Sequence, residues 1–390
     1  MTSSLFVIVT TFFAGVVIGL IPTLIDAVKT LVAARFKDTA IRTDWFVPLF
    51  YLTWLPAMPG AGLLLDNTHS KEILFFGLVA LVLGVAWLAL INSLASLLVN
   101  AIFLGTAYST VAVAGIRLMT SAFFPDYVET DKMNIASLNL GFVMVAFGAL
   151  LGPWTVKAIE RWSGYRQGLL YVSAALILPA ALTALCDRSR FPSAPENAAP
   201  WHELYLHPHL MLIAGVILLY FILENLLEYW PEAFLKDIEY QGGRLKLTLL
   251  VFWLAFIGTR AAAAWWVYHH PGHGFAITIL LIIASGCVLG NLAGGFDVGS
   301  STFGFWLAGA CYGPILPGLL GIALDFYHPL PLPVSALGVI LALSGLDTLV
   351  VRPLVSASAE ARSARSLMRV PTFLAFALAA PLLLLAFFRS

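Results

Sequence analysis

Twelve long apolar stretches decide what this chain can fold into. Each has about 20 residues, the length that a helix needs to cross the hydrocarbon core of a bilayer. Charged residues or clusters of Pro and Gly separate them. They cover residues 5–28, 45–65, 73–92, 96–122, 133–157, 166–187, 208–230, 246–268, 275–292, 301–325, 332–355 and 369–388 of the 390-residue sequence. The pattern predicts an all-α membrane protein with twelve transmembrane helices.

The low content of charged residues excludes a soluble globule. Asp, Glu, Lys and Arg make up 11% of the chain, against roughly 25% in soluble domains. So few charges cannot cover a surface of this size in water. The net charge is zero, so nothing favours nucleic acid as a partner. We expect the lipid bilayer to be the solvent of the apolar surface.

A polar, proline-containing stretch divides the chain in the middle. It runs from Asp187 to Pro200 and has no apolar period, as is typical of a linker. The sequence therefore predicts a six-helix bundle over residues 1–187, a cytoplasmic linker over 188–207 and a second six-helix bundle over 208–390. Equal helix counts in two halves are typical of duplicated transporters.

Proline and glycine interrupt two of the predicted spans. The tenth contains Tyr312-Gly313-Pro314-Ile315-Leu316-Pro317-Gly318, and the second contains Pro48, Pro56 and Pro59. Neighbouring helices can satisfy the backbone groups that such residues leave free in a membrane bundle. The interruptions are therefore either packing kinks or bends that line a cavity.

The loop between the second and third spans carries a recognisable motif. Gly62 is followed four residues later by Asp66, and then by His69 and Lys71. This resembles the signature loop of the major facilitator superfamily, which implies two pseudo-symmetric six-helix bundles. Glycine allows close helix approach, and the Asp can cap a helix N-terminus or pair with a cation. Asn67 departs from the family pattern, because Arg is usual there, so the predicted latch is weakened.

Further segments resemble the fucose permease-like branch, in which proton-coupled sugar symporters are found. They are Tyr220 to Glu224 with Glu228-Tyr229-Trp230, Phe256 to Arg260, Gly313 to Pro317, and Asn134 to Gly141 preceded by Pro125. That branch has an Asp in the middle of its first span as a proton-carrier candidate. The corresponding stretch here, Gly15 to Leu20, has no carboxylate, and we place Asp26 near the membrane edge. Proton coupling is therefore not carried over from the resemblance.

Apart from the family resemblance, the ionisable residues within the spans are the strongest indication of a functional site. They are costly in lipid and usually face the bundle interior or a cavity. Glu224 and Glu228 are four residues apart and share one helix face. Two carboxylates close together in a low dielectric do not both ionise cheaply, so one can hold a proton at neutral pH. We therefore predict a proton site centred on Glu224, while Glu228 also fits a solvated helix end.

Three other charged residues in the spans have competing interpretations. Arg117 can bind an anionic or hydroxyl-rich substrate, neutralise a carboxylate, or reach the interface. Arg260 fits a structural latch with a neighbouring acid, and Asp347 fits a pair with Arg352. Our candidate latch residues are Gly62, Asp66, Lys71, Arg260 and Asp347.

Neutral polar and aromatic residues complete the candidate pathway. Asn92, Asn100, Tyr108, Asn139, Asn225 and Asn291 can hydrogen-bond a sugar-like ligand or join helices to each other. Trp54 and Trp230 can stack on a sugar ring or lie in the interfacial belt, as Trp265 and Trp266 are expected to do. The candidate substrate and proton pathway is Glu224, Glu228, Arg117, Asn139, Tyr108, Trp230 and Asn225.

Enzyme and metal signatures are not found in the sequence. No Walker loop is present, which argues against ATP-driven transport by this chain alone, and the cluster His269-His270-Pro271-Gly272-His273 lacks the HExxH spacing of a zinc hydrolase. The three cysteines show no CxxC spacing. We expect no enzymatic activity, no metal and no cofactor. A membrane enzyme acting on lipids is the rejected alternative.

The orientation signals conflict with each other. Lys29, Arg35, Lys37 and Arg42 lie in the first loop, and the eleventh loop is also basic. The positive-inside rule applied alone puts both termini outside, whereas the signature loop puts them inside. We give the motif more weight and expect cytoplasmic termini in the inner membrane.

The expected function is secondary active transport of a small polar solute by alternating access. Sugar is the leading substrate by resemblance, and the coupling ion is a proton if transport is coupled. Efflux of amphipathic compounds and uncoupled facilitation remain open, as does a sensor or receptor that carries no flux. We expect the protein to work as a monomer.

Overall fold

A computed structural model describes residues 2–36, 43–124, 133–193, 208–237, 242–294, 298–326, 333–361 and 364–389. The regular structure in these ranges is helical, without β-strands. The helices are α1 Thr2–Arg35, α2 Phe46–Asn67, α3 Ser70–Leu90, α4 Leu94–Ala122, α5 Asn134–Ala158, α6 Gly164–Leu185, α7 Pro208–Asp237, α8 Gly242–His269, α9 Gly274–Gly294, α10 Val298–Tyr312, α11 Ile315–Phe326, α12 Val334–Ala361 and α13 Ala364–Arg389.

These helices account for the twelve predicted spans. Within the described residues, nine stretches are long and apolar enough to cross a membrane. One of them, Asn134–Leu185, contains both α5 and α6, joined by a π-helical turn over Ile159–Ser163. Met211–Leu227 and Val334–Val350 add two shorter apolar helices. The all-α class and the helix count are thereby confirmed.

The tenth span is broken where the sequence places its Gly and Pro residues. It consists of α10 and α11, and a turn at Gly313 and Pro314 separates them. The second span behaves differently, because α2 continues through Pro56 and Pro59 as one helix. Of the two spans in which proline was expected to disturb the helix, only the tenth is broken there.

The chain divides into two compact units. The first contains Met1–Val128, Gly141–Trp201 and Pro329–Leu346, and the second contains Glu129–Leu140, His202–His328 and Asp347–Ser390. The start of α5 thus belongs to the second unit, and the start of α12 to the first. The division that the sequence predicts at residues 188–207 stays a prediction.

Helix packing follows the same pattern in each unit. In the first, α4 packs against α1, α2 and α3, and α6 packs against α1 and α3. In the second, the broken tenth span packs against α7, α8 and α9, and α13 packs against α7 and α9. The fourth and sixth helices of each set of six therefore have matching neighbours. This repetition in packing is not visible as a repeat in the sequence.

Glycine allows α1 and α5 to pack backbone against backbone in the first unit. A Cβ on Gly19 would overlap the carbonyl of Val145, and one on Gly148 would overlap the carbonyl of Val16. Small residues let membrane helices approach closely, which increases their van der Waals contact. Any larger residue at these two positions would push the helices apart.

Candidate functional site

Asp66 caps the N-terminus of α12 within the first compact unit. Its carboxylate accepts hydrogen bonds from the backbone N–H of Val334 at 2.6 Å and of Ser335 at 3.2 Å. The first N–H groups of a helix have no partner inside the helix, and the helix dipole favours a negative charge there. A Cβ on Gly62 would overlap the backbone of Ser335, so glycine permits this close approach. Whether this contact works as a gate stays a prediction.

Arg117 lies with the predicted latch residues. It is on α4, close enough to Asp66 for electrostatic attraction. Its buried Nε has no hydrogen-bond partner among the described residues. A cation beside Asp66 adds to the stabilisation that the α12 N-terminus provides. This position supports the interpretation of Arg117 as a neutralising partner over that of a substrate contact.

Lys71 ties the start of α3 to the end of α6. Its Nζ donates to the carbonyl of Ala184 at 3.0 Å and also to the carbonyl of Cys186. Beside it, Glu72 forms an exposed ion pair with Arg188 at 3.0 Å. Lys71 therefore neutralises the negative end of a helix, and none of the contacts described for it reaches Asp66.

The residues just after α6 form a small turn at the same place. Hydrogen bonds from Ser189, which include its backbone N–H at 3.1 Å, hold the pKa of the exposed Asp187 carboxyl below its ordinary value. The backbone carbonyl of Pro192 accepts hydrogen bonds from the N–H and the hydroxyl of Ser70. The first part of the predicted linker is thus fixed against the loop that carries the signature motif.

We expect Asp66→Asn to reduce the free energy that fixes the N-terminus of α12 by about 1 kcal/mol, the usual contribution of a capping side chain. Loss of the charge also removes the attraction to Arg117. In a variant that carries a single introduced cysteine at Ala336, labelling by an impermeant maleimide should become about fivefold faster. Asp44→Asn is the matched control, because Asp44 is exposed and lies far along the chain from α12. Equal labelling rates in both variants would contradict a restraining role for Asp66.

Asp26 and three aromatic residues form a polar and aromatic cluster in the first unit. The hydroxyl of Tyr51 donates to Asp26 Oδ2 at 3.1 Å. Trp54 stacks on Tyr108 with 4.6 Å between ring centroids. The indole N–H of Trp54 is buried and has no partner among the described residues. Asp26 is thus a half-buried carboxylate with a phenol partner, a contact that the sequence alone did not indicate.

Arg260 is held at the break in the tenth span, inside the second unit. The side chain is 3% exposed, and its Nε donates to the carbonyl of Gly313 at 2.7 Å. In an unbroken helix this carbonyl would accept from residue 317, which is Pro317 and has no N–H. The guanidinium also lies 4.2 Å from the ring centre of Phe256, in cation–π contact. The proline pattern thus creates the acceptor that Arg260 binds.

Glu224 lies beside Arg260 in the same unit. Their charges are close enough to attract each other, and the hydroxyl of Tyr220 approaches Glu224 Oε1 at 3.4 Å. The Tyr220 and Tyr312 rings, both fully buried, lie with their centres 6.4 Å apart. The helices α7, α8 and α10 therefore bring one acid, one guanidinium and two phenols together. This grouping combines a predicted pathway residue with a predicted latch residue.

The predicted asparagines take different positions. The Nδ2 of buried Asn139 donates to the carbonyl of Ile135, and its Oδ1 has no partner among the described residues. Asn225 donates to the carbonyl of Phe221 at 3.4 Å in its own helix.

The other asparagines make contacts within and between helices. Buried Asn100 joins α4 to α3 through the carbonyl of Gly84. Asn92 accepts from Arg35, and Asn291, which is exposed, donates to Cys287. Asn139 thus offers an unused acceptor, whereas Asn100 joins helices.

Three candidate residues lie partly outside what the structure describes. Glu228 and Trp230 are on α7 and Asp347 is on α12, but their side chains are outside the described residues. The histidine cluster is described, and His269 and His270 contact the carbonyls of Trp265 and Trp266 in their own helix. In the described part of the chain, no group of three His, Cys, Asp or Glu side chains is placed to hold a metal ion.

A cavity of about 350 Å³ lies at one end of the second unit. It is lined by Ile135, Pro271, Gly272, Phe275, Ala276, Ile322 and Asp325. Asn134, the first residue of α5, donates from Nδ2 to Asp325 Oδ1 at 2.7 Å. A Cβ on Gly321 would meet the backbone of Ile135, so α5 begins in close contact with α11. Asp325 was not among the residues singled out from the sequence.

Comparison of the sequence and the structure with known proteins identifies the fold. No family model and no curated protein matches the sequence. Among solved structures, the fucose:proton symporter FucP of E. coli is similar with a TM-score of 0.72 and 14% identity, over 95% of this chain and 97% of that one. The human organic anion transporter TETRAN is similar with a TM-score of 0.70 and 12% identity, over 97% of this chain and 99% of that one.

The symporter FucP in its outward conformation, titled as a major facilitator superfamily transporter, matches at a TM-score of 0.69 and 13% identity, over 95% of this chain and 97% of that chain. At these identities the similarity establishes architecture. This chain has the major facilitator fold, in a form similar to that of the fucose permease.

Proposed function

We propose that this protein is a secondary transporter of a small polar solute. The observation that carries the proposal is the grouping of half-buried Glu224 with the buried side chains of Arg260, Tyr220 and Tyr312. Ionisable groups in the interior of a membrane bundle are costly and mark substrate or ion pathways. Here they occur in the fold of a fucose:proton symporter and an organic anion transporter. No enzymatic activity is part of the proposal.

The transport cycle in this proposal is alternating access. Residues 1–187 and 208–390 form the two halves, joined by the linker 188–207, and the halves rock around a central site. Glu224 carries the proton when transport is coupled. Its protonation releases Arg260 from electrostatic attraction, while the bond from Arg260 to Gly313 remains. Asp66 with Gly62 restrains the start of α12 in one state of the cycle.

The substrate class that we favour is a sugar or sugar-like molecule. Sugars present hydroxyl groups for hydrogen bonding and an apolar ring face for stacking. In the first unit, the buried indole N–H of Trp54 is a donor of the right kind and Tyr108 adds an aromatic face. In the second unit, the buried Oδ1 of Asn139, which has no partner among the described residues, is an acceptor of the right kind. The aromatic cluster around Trp54 equally supports the second candidate, efflux of an amphipathic compound. A transporter fold that carries no flux and acts as a sensor is the remaining class.

Uptake into proteoliposomes tests this proposal. The panel contains sugars, small organic anions and neutral amphipathic compounds, each measured with and without an inward proton gradient. Uptake of a sugar above protein-free vesicles supports the favoured class, and accumulation driven by the gradient supports symport. Uptake of an amphipathic compound alone supports the second candidate. Absence of flux for the whole panel contradicts the proposal of transport and favours a sensor.

We propose further that the protein is a monomer in the inner membrane with cytoplasmic termini. The signature loop supports this orientation, and the basic first and eleventh loops oppose it. The expected result is that a tag after Ser390 is protected from external protease in intact spheroplasts and becomes cleavable after lysis. Cleavage in intact spheroplasts would reverse the orientation and make the positive-inside rule the better guide. The mass of the protein in nanodiscs, measured by light scattering, tests whether it is a monomer.

A further inference from the structure

The connection between α5 and α6 carries an exposed patch of cations and tryptophans. Trp154 and Trp162 are 75% and 77% exposed. Lys157, Arg161 and Arg166 are exposed as well. We call these five residues the α5–α6 patch. Trp154, Lys157 and Arg161 follow each other at spacings of three and four residues, which places them along one face of a helix.

The local backbone explains why the patch faces outward. The turn over Ile159–Ser163 is π-helical, and it ends at Gly164, whose N–H bonds to the carbonyl of Ile159. Gly164 has φ +70°, a conformation that glycine adopts without strain. A Cβ on Gly168 would overlap the side chain of Ile159, so Ile159 is fixed inward against α6. With Ile159 buried, Arg161 and Trp162 of the same turn are presented to the surroundings.

The patch lies at one end of the first unit, where three helix ends meet, and we infer that this end lies at membrane-interface level. The hydroxyl of Tyr165 donates to the carbonyl of Leu88 in the last turn of α3. Arg35, the last residue of α1, stacks on the Tyr165 ring at 4.9 Å. The end of α1, the end of α3 and the start of α6 therefore meet here. Exposed Trp residues are typical of this level, where the polar headgroups begin.

The cations of the patch have no protein partner among the described residues, unlike Lys71, Arg188 and Arg35 of the same unit. At the opposite end, Lys71 donates to two carbonyls and Arg188 pairs with Glu72. Arg35 donates to Asn92. Lys157, Arg161 and Arg166 make no hydrogen bond or ion pair with the described part of the chain. Glu160 is the one acid in the turn itself, so the patch keeps a net positive charge.

We propose that the α5–α6 patch binds the headgroup of an anionic phospholipid. Three cations that have no partner in the described part of the chain attract a phosphate electrostatically, and the two tryptophans supply rings that pack against glycerol and the upper acyl chain. A zwitterionic headgroup offers no net charge to match these cations. The occupant is a lipid because the patch lies at the membrane surface.

Native mass spectrometry of the purified full-length protein tests the proposal. With equal concentrations of phosphatidylglycerol and phosphatidylcholine, the wild type is expected to retain several-fold more phosphatidylglycerol. The variant K157Q/R161Q/R166Q should lose most of this preference. The control K71Q/R188Q/R190Q removes the same number of cations at the other end and should keep it. Equal retention by the patch variant and the wild type, or equal loss in the control, overturns the proposal.

Two further measurements keep the test decisive if the triple variant folds poorly. The variant R161K/R166K keeps the charge and is expected to retain the lipid preference. In the wild type, higher ionic strength should release phosphatidylglycerol, because salt screens exposed charges. A preference that does not change with salt contradicts an electrostatic site. None of these outcomes depends on transport activity.

Discussion

Glu224→Gln is expected to abolish proton-driven accumulation of the substrate and to leave exchange of the substrate intact. Glutamine has nearly the same shape as glutamic acid and keeps the contact to Tyr220, but it cannot take up or release a proton. Carrying no charge, it resembles a permanently protonated acid beside Arg260. Substrate binding and helix movement can continue, while coupling to the gradient is lost. Accumulation should fall at least tenfold in proteoliposomes with an inward proton gradient.

Two matched variants locate the proton. Glu160→Gln changes an exposed acid and should leave accumulation unchanged. Asp26→Asn changes the half-buried carboxylate that Tyr51 contacts. If Asp26→Asn abolishes accumulation and Glu224→Gln does not, the proton site lies in the first unit and our assignment is wrong. If neither substitution changes accumulation, another group carries the proton and the assignment to Glu224 is wrong. A wild type that shows no gradient-driven accumulation is an uncoupled facilitator.

Arg260→Met is expected to destabilise the protein strongly. Removal of one partner of a buried charge pair costs about 3–5 kcal/mol, because the other charge stays behind without compensation. Glu224 is half-buried, so we expect the low end of this range. The carbonyl of Gly313 also loses its donor, and Pro317 cannot replace it. The melting temperature in detergent should fall by many degrees. Arg369→Met, at an exposed arginine, is the control and should have little effect.

A double variant separates the two causes of that loss. Glu224→Gln combined with Arg260→Met removes the uncompensated charge but leaves the carbonyl of Gly313 without its donor. The double variant should therefore be more stable than Arg260→Met alone, since the two changes are coupled and not additive. A double variant that is less stable than both single variants would show that Glu224 does not depend on Arg260.

The spans were predictable from sequence because the requirement is simple. A helix in lipid must be long and apolar, and each of the twelve runs met that condition. The break at Gly313-Pro314 was also predictable, because proline removes a backbone hydrogen-bond donor. The continuity of α2 through Pro56 and Pro59 was not, because it depends on neighbouring helices that sequence does not show.

The contacts of the candidate site depend on distant parts of the chain, and sequence reasoning found only some of them. The motif pointed to Asp66, but its partners in α12 are 268 and 269 residues away. Asp26 was placed near the membrane edge because it lies later in the sequence than Gly15 to Leu20, and its contact with Tyr51 of α2 depends on helix packing that the sequence does not show. Asp325 carries no motif, and Asn134 was named only as the start of a segment that resembles the fucose permease-like branch. The α5–α6 patch could not be singled out from the sequence, because basic residues are common at helix ends.

The bond from Arg260 to Gly313 links two sequence positions that lie far from each other in the chain. Pro317 leaves a carbonyl without its helical donor, and Arg260 supplies the missing hydrogen bond. In a related sequence with another residue at position 317, the helix would satisfy that carbonyl itself, and one reason for arginine at 260 would disappear. We therefore expect positions 260 and 317 to covary among relatives, so that proline at one accompanies a long donor at the other.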